Sequence, residues 1–174
     1  WKEEVEEKEN TKNTEEEKKI EPAAKMLFAP LKGNVIPREE IPDETFASGV
    51  LGDGVGIEPE IGEVVAPFDG EISSVTDTHH AIGITGPGEM EVLIHVGIDT
   101  VNMHGDGFKI FVSEGEKVKA GQKLITFDIS KIKAAGYSTT TAVLLTNSDD
   151  YPNFKVLKTG NTNKMEQLFT IESE

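Results

Sequence analysis

Between residues 26 and about 160 the chain divides its apolar residues into short stretches separated by Gly, Pro, Asp and Asn, and it holds no 3.6-residue period over any window of about a dozen. Such punctuation commits a chain to strands and tight turns. Strands are predicted over 32–36, 56–60, 63–65, 70–76, 81–85, 91–96, 108–111, 123–128, 141–145 and 155–158, with Leu168, Phe169 and Ile171 supplying a last one. They follow one another too closely for crossover helices, so the fold class is all-β: a compact antiparallel β-sandwich or barrel-like domain with at most short helices. One short helix is predicted over 129–137, capped by Ser130 and ended by Gly136. The segments FAPLKGNVI, VVAPFDGEI and VSEGEKVKAGQKL echo one another, which points to an internal duplication.

The first 25 residues differ in kind. They hold nine Glu and six Lys with only scattered apolar residues, and are read as a charged linker, 1–25, ahead of a domain over 26–171 and a tail over 172–174. The linker carries −3 of the total charge of −15, so the rest of the chain is acidic in its own right, at −12. Nucleic acid is disfavoured as a partner, because phosphate recognition draws on clustered Lys and Arg. With no cysteine, a disulfide scaffold, a cysteine nucleophile and thiolate metal ligands are excluded. No apolar run approaches the roughly 20 residues of a membrane-spanning helix.

Chemistry concentrates in THHAIGITGPGEMEVLIHVGIDTV, residues 78–101. A type II turn centred on Pro87 and Gly88 would place His80 directly opposite His95 on two antiparallel strands, and Ile82 opposite Leu93. The histidine face would then mix apolar and ionisable groups, while Ala81, Gly83, Val92, Ile94 and Val96 would face the core. A slip of one residue would separate the histidines. Thr78, two residues before His80, would share its face and hydrogen-bond to its ring. His79 points away in this register, and His104 sits in a Gly-rich turn.

Three readings of a close histidine pair stand at this level. Neutral imidazole attacks phosphorus or takes a proton, it ligates zinc, or it is simply a buried polar side chain satisfied by backbone. Zinc would need a third ligand, for which Asp99 is the local candidate, but no His-Glu-x-x-His spacing is present. No phosphate-binding Gly-Lys-Ser/Thr sequence follows GDG at 52–54 or GPG at 86–88, so a nucleotide is disfavoured.

Taken together, FAPLKGNVI, FASGVLGDGVGIEP, VVAPFDGEISSVTDTHHAIGI, VLIHVGIDTVNMHGDGF, EGEKVKAGQKLITFD and TAVLLTN resemble the glucose-family enzyme IIA domain of the bacterial phosphoenolpyruvate-dependent sugar phosphotransferase system, over about 26–160. The resemblance implies a phosphoryl relay: a histidine accepts phosphate from the phosphocarrier HPr and passes it to a cysteine of a IIB domain, with a IIC transporter domain involved indirectly and regulatory proteins as further partners. It implies His95 as the accepting residue through Nε2, His80 as the supporting histidine, selected over His79 because it precedes Ala81, and Thr78 as its hydrogen-bond partner. It also implies that the Gly97 carbonyl binds His95 Nδ1. Phe46, Leu93 and Val101 look like the apolar part of the partner surface, with Asp43 and Asp99 at its rim, although Thr45 and Thr76 are less hydrophobic than the family leads one to expect. No cofactor is required; zinc on His80 and His95 would be incidental. A cytoplasmic domain is implied, with membrane association through linkage to IIB and IIC, and the charged linker favours a tethered form.

Other classes fit less well. EGEKVKAGQKL is also similar to the half-motif of biotinyl and lipoyl domains, but no Met-flanked Lys sits at its turn. A zinc peptidase on a related β architecture and a purely regulatory binding module are the remaining alternatives.

Overall fold

The computed structural model describes residues 24–172. Strands dominate it, and the pairings between them are antiparallel. β1 (Ala24–Phe28) is the first of them. The largest sheet has eight strands, in the order β13 (Gly160–Thr162), β2 (Gly33–Pro37), β3 (Asp53–Pro59), β11 (Thr141–Leu145), β7 (Glu91–His95), β6 (Ala81–Thr85), β5 (Gly70–Val75) and β9 (Lys117–Val118). Two three-stranded sheets complete the domain: β1, β14 (Gln167–Glu172) and β12 (Lys155–Val156), and β4 (Glu63–Val65), β10 (Lys123–Phe127) and β8 (Phe108–Ile110). Among the described residues no helix is long and apolar enough to cross a membrane.

Alternation explains which face of each strand is buried. In β7, Val92 and Ile94 enter the main core with Ile82 and Ile84 of β6, while Leu93 and His95 lie on the other face. Burying each such Val or Ile stabilises by roughly 1.5–3 kcal/mol. The central strand β11 is buried throughout, since Val143 and Leu145 join the main core and Ala142 and Leu144 join a second cluster with Ile41, Phe46 and Ile98. From Ala142 to Leu145 its sequence therefore reads as an uninterrupted apolar run. The second cluster exists because α1 (Glu44–Ala47) folds over the outer face of the sheet and plants Phe46 on it.

Several expectations need revision. β1 begins inside the stretch read as linker, and Leu27 within it is fully buried; the rest of that stretch, 1–23, and residues 173–174 lie outside the described residues. β9 and β13 are too short to show alternation. The helix α2 (Ile129–Ala134) is capped by Asp128, whose carboxylate accepts from Lys131 N at 3.0 Å, and not by Ser130.

Candidate active site

The β6–β7 hairpin carries the histidines, but in a register one residue from the expected one. Ala81, not His80, pairs with His95, and Ile82 pairs with Ile94. Ile82 therefore faces the core, while Ala81 and Gly83 share the face of Leu93 and His95. The cause is the turn. It uses three residues, Pro87–Glu89, closed by a bond from Gly86 N to Met90 O at 2.8 Å, and not the two of a type II turn. Gly88 does take the positive φ, at 70°. In a regular strand this slip would have sent the rings to opposite faces. It does not, because His79 adopts a left-handed φ of 62° and His80 sits in the bend just before β6, its carbonyl receiving Val96 N at 2.8 Å. The two rings meet edge to face with centroids 4.8 Å apart. Ala81 and Ala142, both buried, flank His95 on the neighbouring strands and leave room for its ring.

Each ring is held through Nδ1. Thr78, placed by the turn and not by strand alternation, brings Oγ1 to 2.7 Å from His80 Nδ1, and Thr76 Oγ1 stands at 3.5 Å. His95 Nδ1 lies 2.9 Å from the Gly97 carbonyl. A carbonyl only accepts, so Nδ1 carries the proton and the lone pair of neutral His95 is on Nε2. His80 is 5% exposed. Burial, reinforced by the neighbouring His95, pulls its pKa down from 6.5 to about 4. Burial also lowers the pKa of His95, against the opposing pull of the Gly97 carbonyl, Asp43 and Asp99. Both rings are neutral at pH 7. That is the state a nitrogen nucleophile needs.

Residues 25–151 match the family described as the phosphoenolpyruvate-dependent sugar phosphotransferase system, EIIA 1. The chain belongs to this family. It is 46% identical over 134 residues to the PTS system glucose-specific EIIA component of Halalkalibacterium halodurans, covering 77% of this chain and 78% of that one. It is 42% identical to the PTS system beta-glucoside-specific EIIBCA component of Bacillus subtilis, of which it spans 25% while 87% of this chain is covered. The solved structure of glucose permease IIA from Mycoplasma capricolum superposes with a TM-score of 0.80 at 31% identity, over 84% of this chain and 95% of that one. As an EIIA phosphotransferase component, the domain relays a phosphoryl group through a phosphohistidine intermediate.

Around the histidines of this EIIA domain, Phe46 packs its ring on His95 at 4.9 Å between centroids. At 6% exposure it packs under the His95 ring more than it presents a surface. Leu93 is half-buried beside it, and Val101 is 50% exposed in the short 3₁₀ turn Thr100–Met103. Asp99, exposed and left-handed, stands at the N-terminal end of that turn without a side-chain capping bond. Asp43 is the N-cap of α1, accepting from Thr45 N at 2.9 Å. Asp99 does not complete a metal site with the pair: among the described residues no group of three or more His, Cys, Asp or Glu is arranged to hold a metal ion. His104 is exposed in its loop, and the aromatic contacts of the pair involve Phe46 and Phe108 instead. Sequence reasoning missed Phe108, which meets His80 edge-on at 6.5 Å from β8, and Thr100, whose buried hydroxyl donates to Val96 O at 2.6 Å. Phe108 is brought in from another sheet, and no local pattern signals that. Thr100 left no clear signal either, since it sits among other polar residues, Asp99 and Asn102, in the same turn.

Proposed function

We propose that His95 Nε2 is the phosphoryl acceptor, that the donor is the phosphohistidine of HPr, and that the acceptor in the next step is the cysteine of a IIB domain. As Nε2 attacks in line, the Nε2–P bond forms while the P–N bond of the donor breaks, and the positive charge that develops on the ring is met by the Gly97 carbonyl at Nδ1. His80, neutral and accepting from the Thr78 hydroxyl at Nδ1, offers Nε2–H to a phosphoryl oxygen. Asp43 and Asp99 draw a basic donor surface toward the site, and Leu93 and Val101 give it an apolar seat. The step asks for no cofactor; zinc on the same two nitrogens would compete with phosphate.

The observation that carries this reading is the opposed tethering of the rings, each held by Nδ1 at an edge-to-face separation of 4.8 Å. Relatives in which an EIIA region is joined to B and C regions in one chain support a IIB domain as the neighbour, whether tethered or separate. The domain handles only phosphate, so the sugar is chosen elsewhere. His80→Gln separates the roles. Acceptance from phospho-HPr and thermal unfolding should stay near the parent's, while donation to IIB slows by roughly 10²-fold or more. Equal losses in all three measurements would contradict the assignment.

A further inference from the structure

The Gly97–Ile98 peptide, which holds the nucleophile, is itself held from behind. On one edge its carbonyl accepts from His95 Nδ1 at 2.9 Å; on the other its N–H, from Ile98, donates to the Ser138 carbonyl at 3.0 Å. Gly97 has a φ of 80°, and a Cβ there would stand 3.0 Å from Ser138 O and 2.4 Å from Thr100 Cγ2, so the peptide is boxed in. Ser138 is fixed in turn. Its hydroxyl accepts from Thr140 N at 3.1 Å and donates to Thr140 Oγ1 at 2.9 Å. Thr140, 2% exposed, donates to Glu58 Oε2 on β3 at 2.7 Å.

The imidazole donates to the Gly97 carbonyl and Ile98 N–H to the Ser138 carbonyl, while the Ser138 and Thr140 hydroxyls donate in turn toward the Glu58 carboxylate. We propose that Glu58, Thr140 and Ser138 form a positioning array that fixes the plane of the Gly97–Ile98 peptide and through it the Nδ1–H tautomer of His95. This rests on His95 being the phosphoryl acceptor. A peptide whose N–H is well bonded is a stronger acceptor at its carbonyl, by 10–30% of a bond in condensed-phase estimates. The gain falls on the ring as it becomes cationic, and Nε2 stays free for phosphorus. None of the three residues touches the phosphoryl group, so they position and do not react. Other charged or titratable groups bearing on His95 are His80, Asp43 and Asp99, which the test leaves in place.

Thr140→Val deletes the hydroxyl link at nearly constant volume, Thr140→Ser restores it, and Glu58→Gln removes only the charge. With ring-¹⁵N-labelled protein, Thr140→Val should shift the His95 resonances toward a tautomer mixture and lower its titration midpoint. Acceptance should slow by roughly two- to fivefold at unchanged KM for phospho-HPr. Thr140→Ser should return all three values, and Glu58→Gln should move them the same way by less. A folded Thr140→Val protein with parent ¹⁵N shifts and midpoint would overturn the array. If that variant does not fold, unchanged shifts in Glu58→Gln would do so. The ring spectra are read without phosphate, so failure of the parent to phosphorylate His95 would sink the function proposed above and leave the array decided separately.

Discussion

The two ends of the β6–β7 hairpin share a register and little else. At the tip, side chains serve the backbone: Asn147 accepts from Glu91 N and donates to Glu89 O, each at 3.0 Å, and the Tyr151 hydroxyl donates to Gly88 O. At the open end the backbone serves side chains, through Gly97 O on His95 and Val96 O on Thr100. The open end also holds three left-handed non-glycine residues, His79, Asp99 and His104, against Glu89 alone at the tip. Each costs on the order of 1 kcal/mol, less for Asp and His, which adopt this region more readily. The tip therefore sets which residues pair, while the open end spends stability to aim two rings.

The most damaging change on this contrast is at Gly97. Gly97→Ala forces a Cβ into Thr100 Cγ2 at 2.4 Å on a backbone with φ of 80°, and should cost roughly 2–4 kcal/mol in denaturant unfolding together with most phosphoryl acceptance. Retention of both would show that the open end is not tightly built. Next comes pH. The pKa of His80 falls from 6.5 to about 4 on folding, so the unfolded chain binds the extra proton between those values. The contribution is whole above pH 6.5 and lost as pH falls through 4, about 3 kcal/mol in total. Urea melts of the parent should weaken across that window, and those of His80→Gln should weaken less; parallel curves would place the titration elsewhere. Smallest is the tip, where Tyr151→Phe should lower stability by about 1 kcal/mol and leave transfer rates alone. A transfer defect there would mean that the ends are coupled.

The same contrast separates what was legible in the sequence from what was not. The bounds of β6 and β11 were readable to the residue, but the inward face of β6 was not: Ile82 was assigned to the histidine face and Ala81 and Gly83 to the core, and the shifted register reverses them. The meeting of His80, His95 and Thr78 was also foreseen, but on a mistaken route. Two local departures, a three-residue turn and a left-handed His79, offset one another, and neither is dictated by alternation. Gly97 entered through family resemblance, since a main-chain carbonyl leaves no mark in a side-chain pattern. Phe46 was placed in the right neighbourhood, but its burial depends on α1 closing over the sheet. Ser138, Thr140 and Glu58 lie far from His95 in sequence and converge only because β11 runs between β3 and β7.

The central claim is that one nitrogen of one residue carries the phosphate. Incubation with phospho-HPr, a rapid quench at alkaline pH and ³¹P–¹⁵N correlation on ring-labelled protein would locate it. The account predicts a single acid-labile phosphoryl group on His95 Nε2, with none formed by His95→Ala. Phosphate on Nδ1, on His80, or retained in His95→Ala would contradict it.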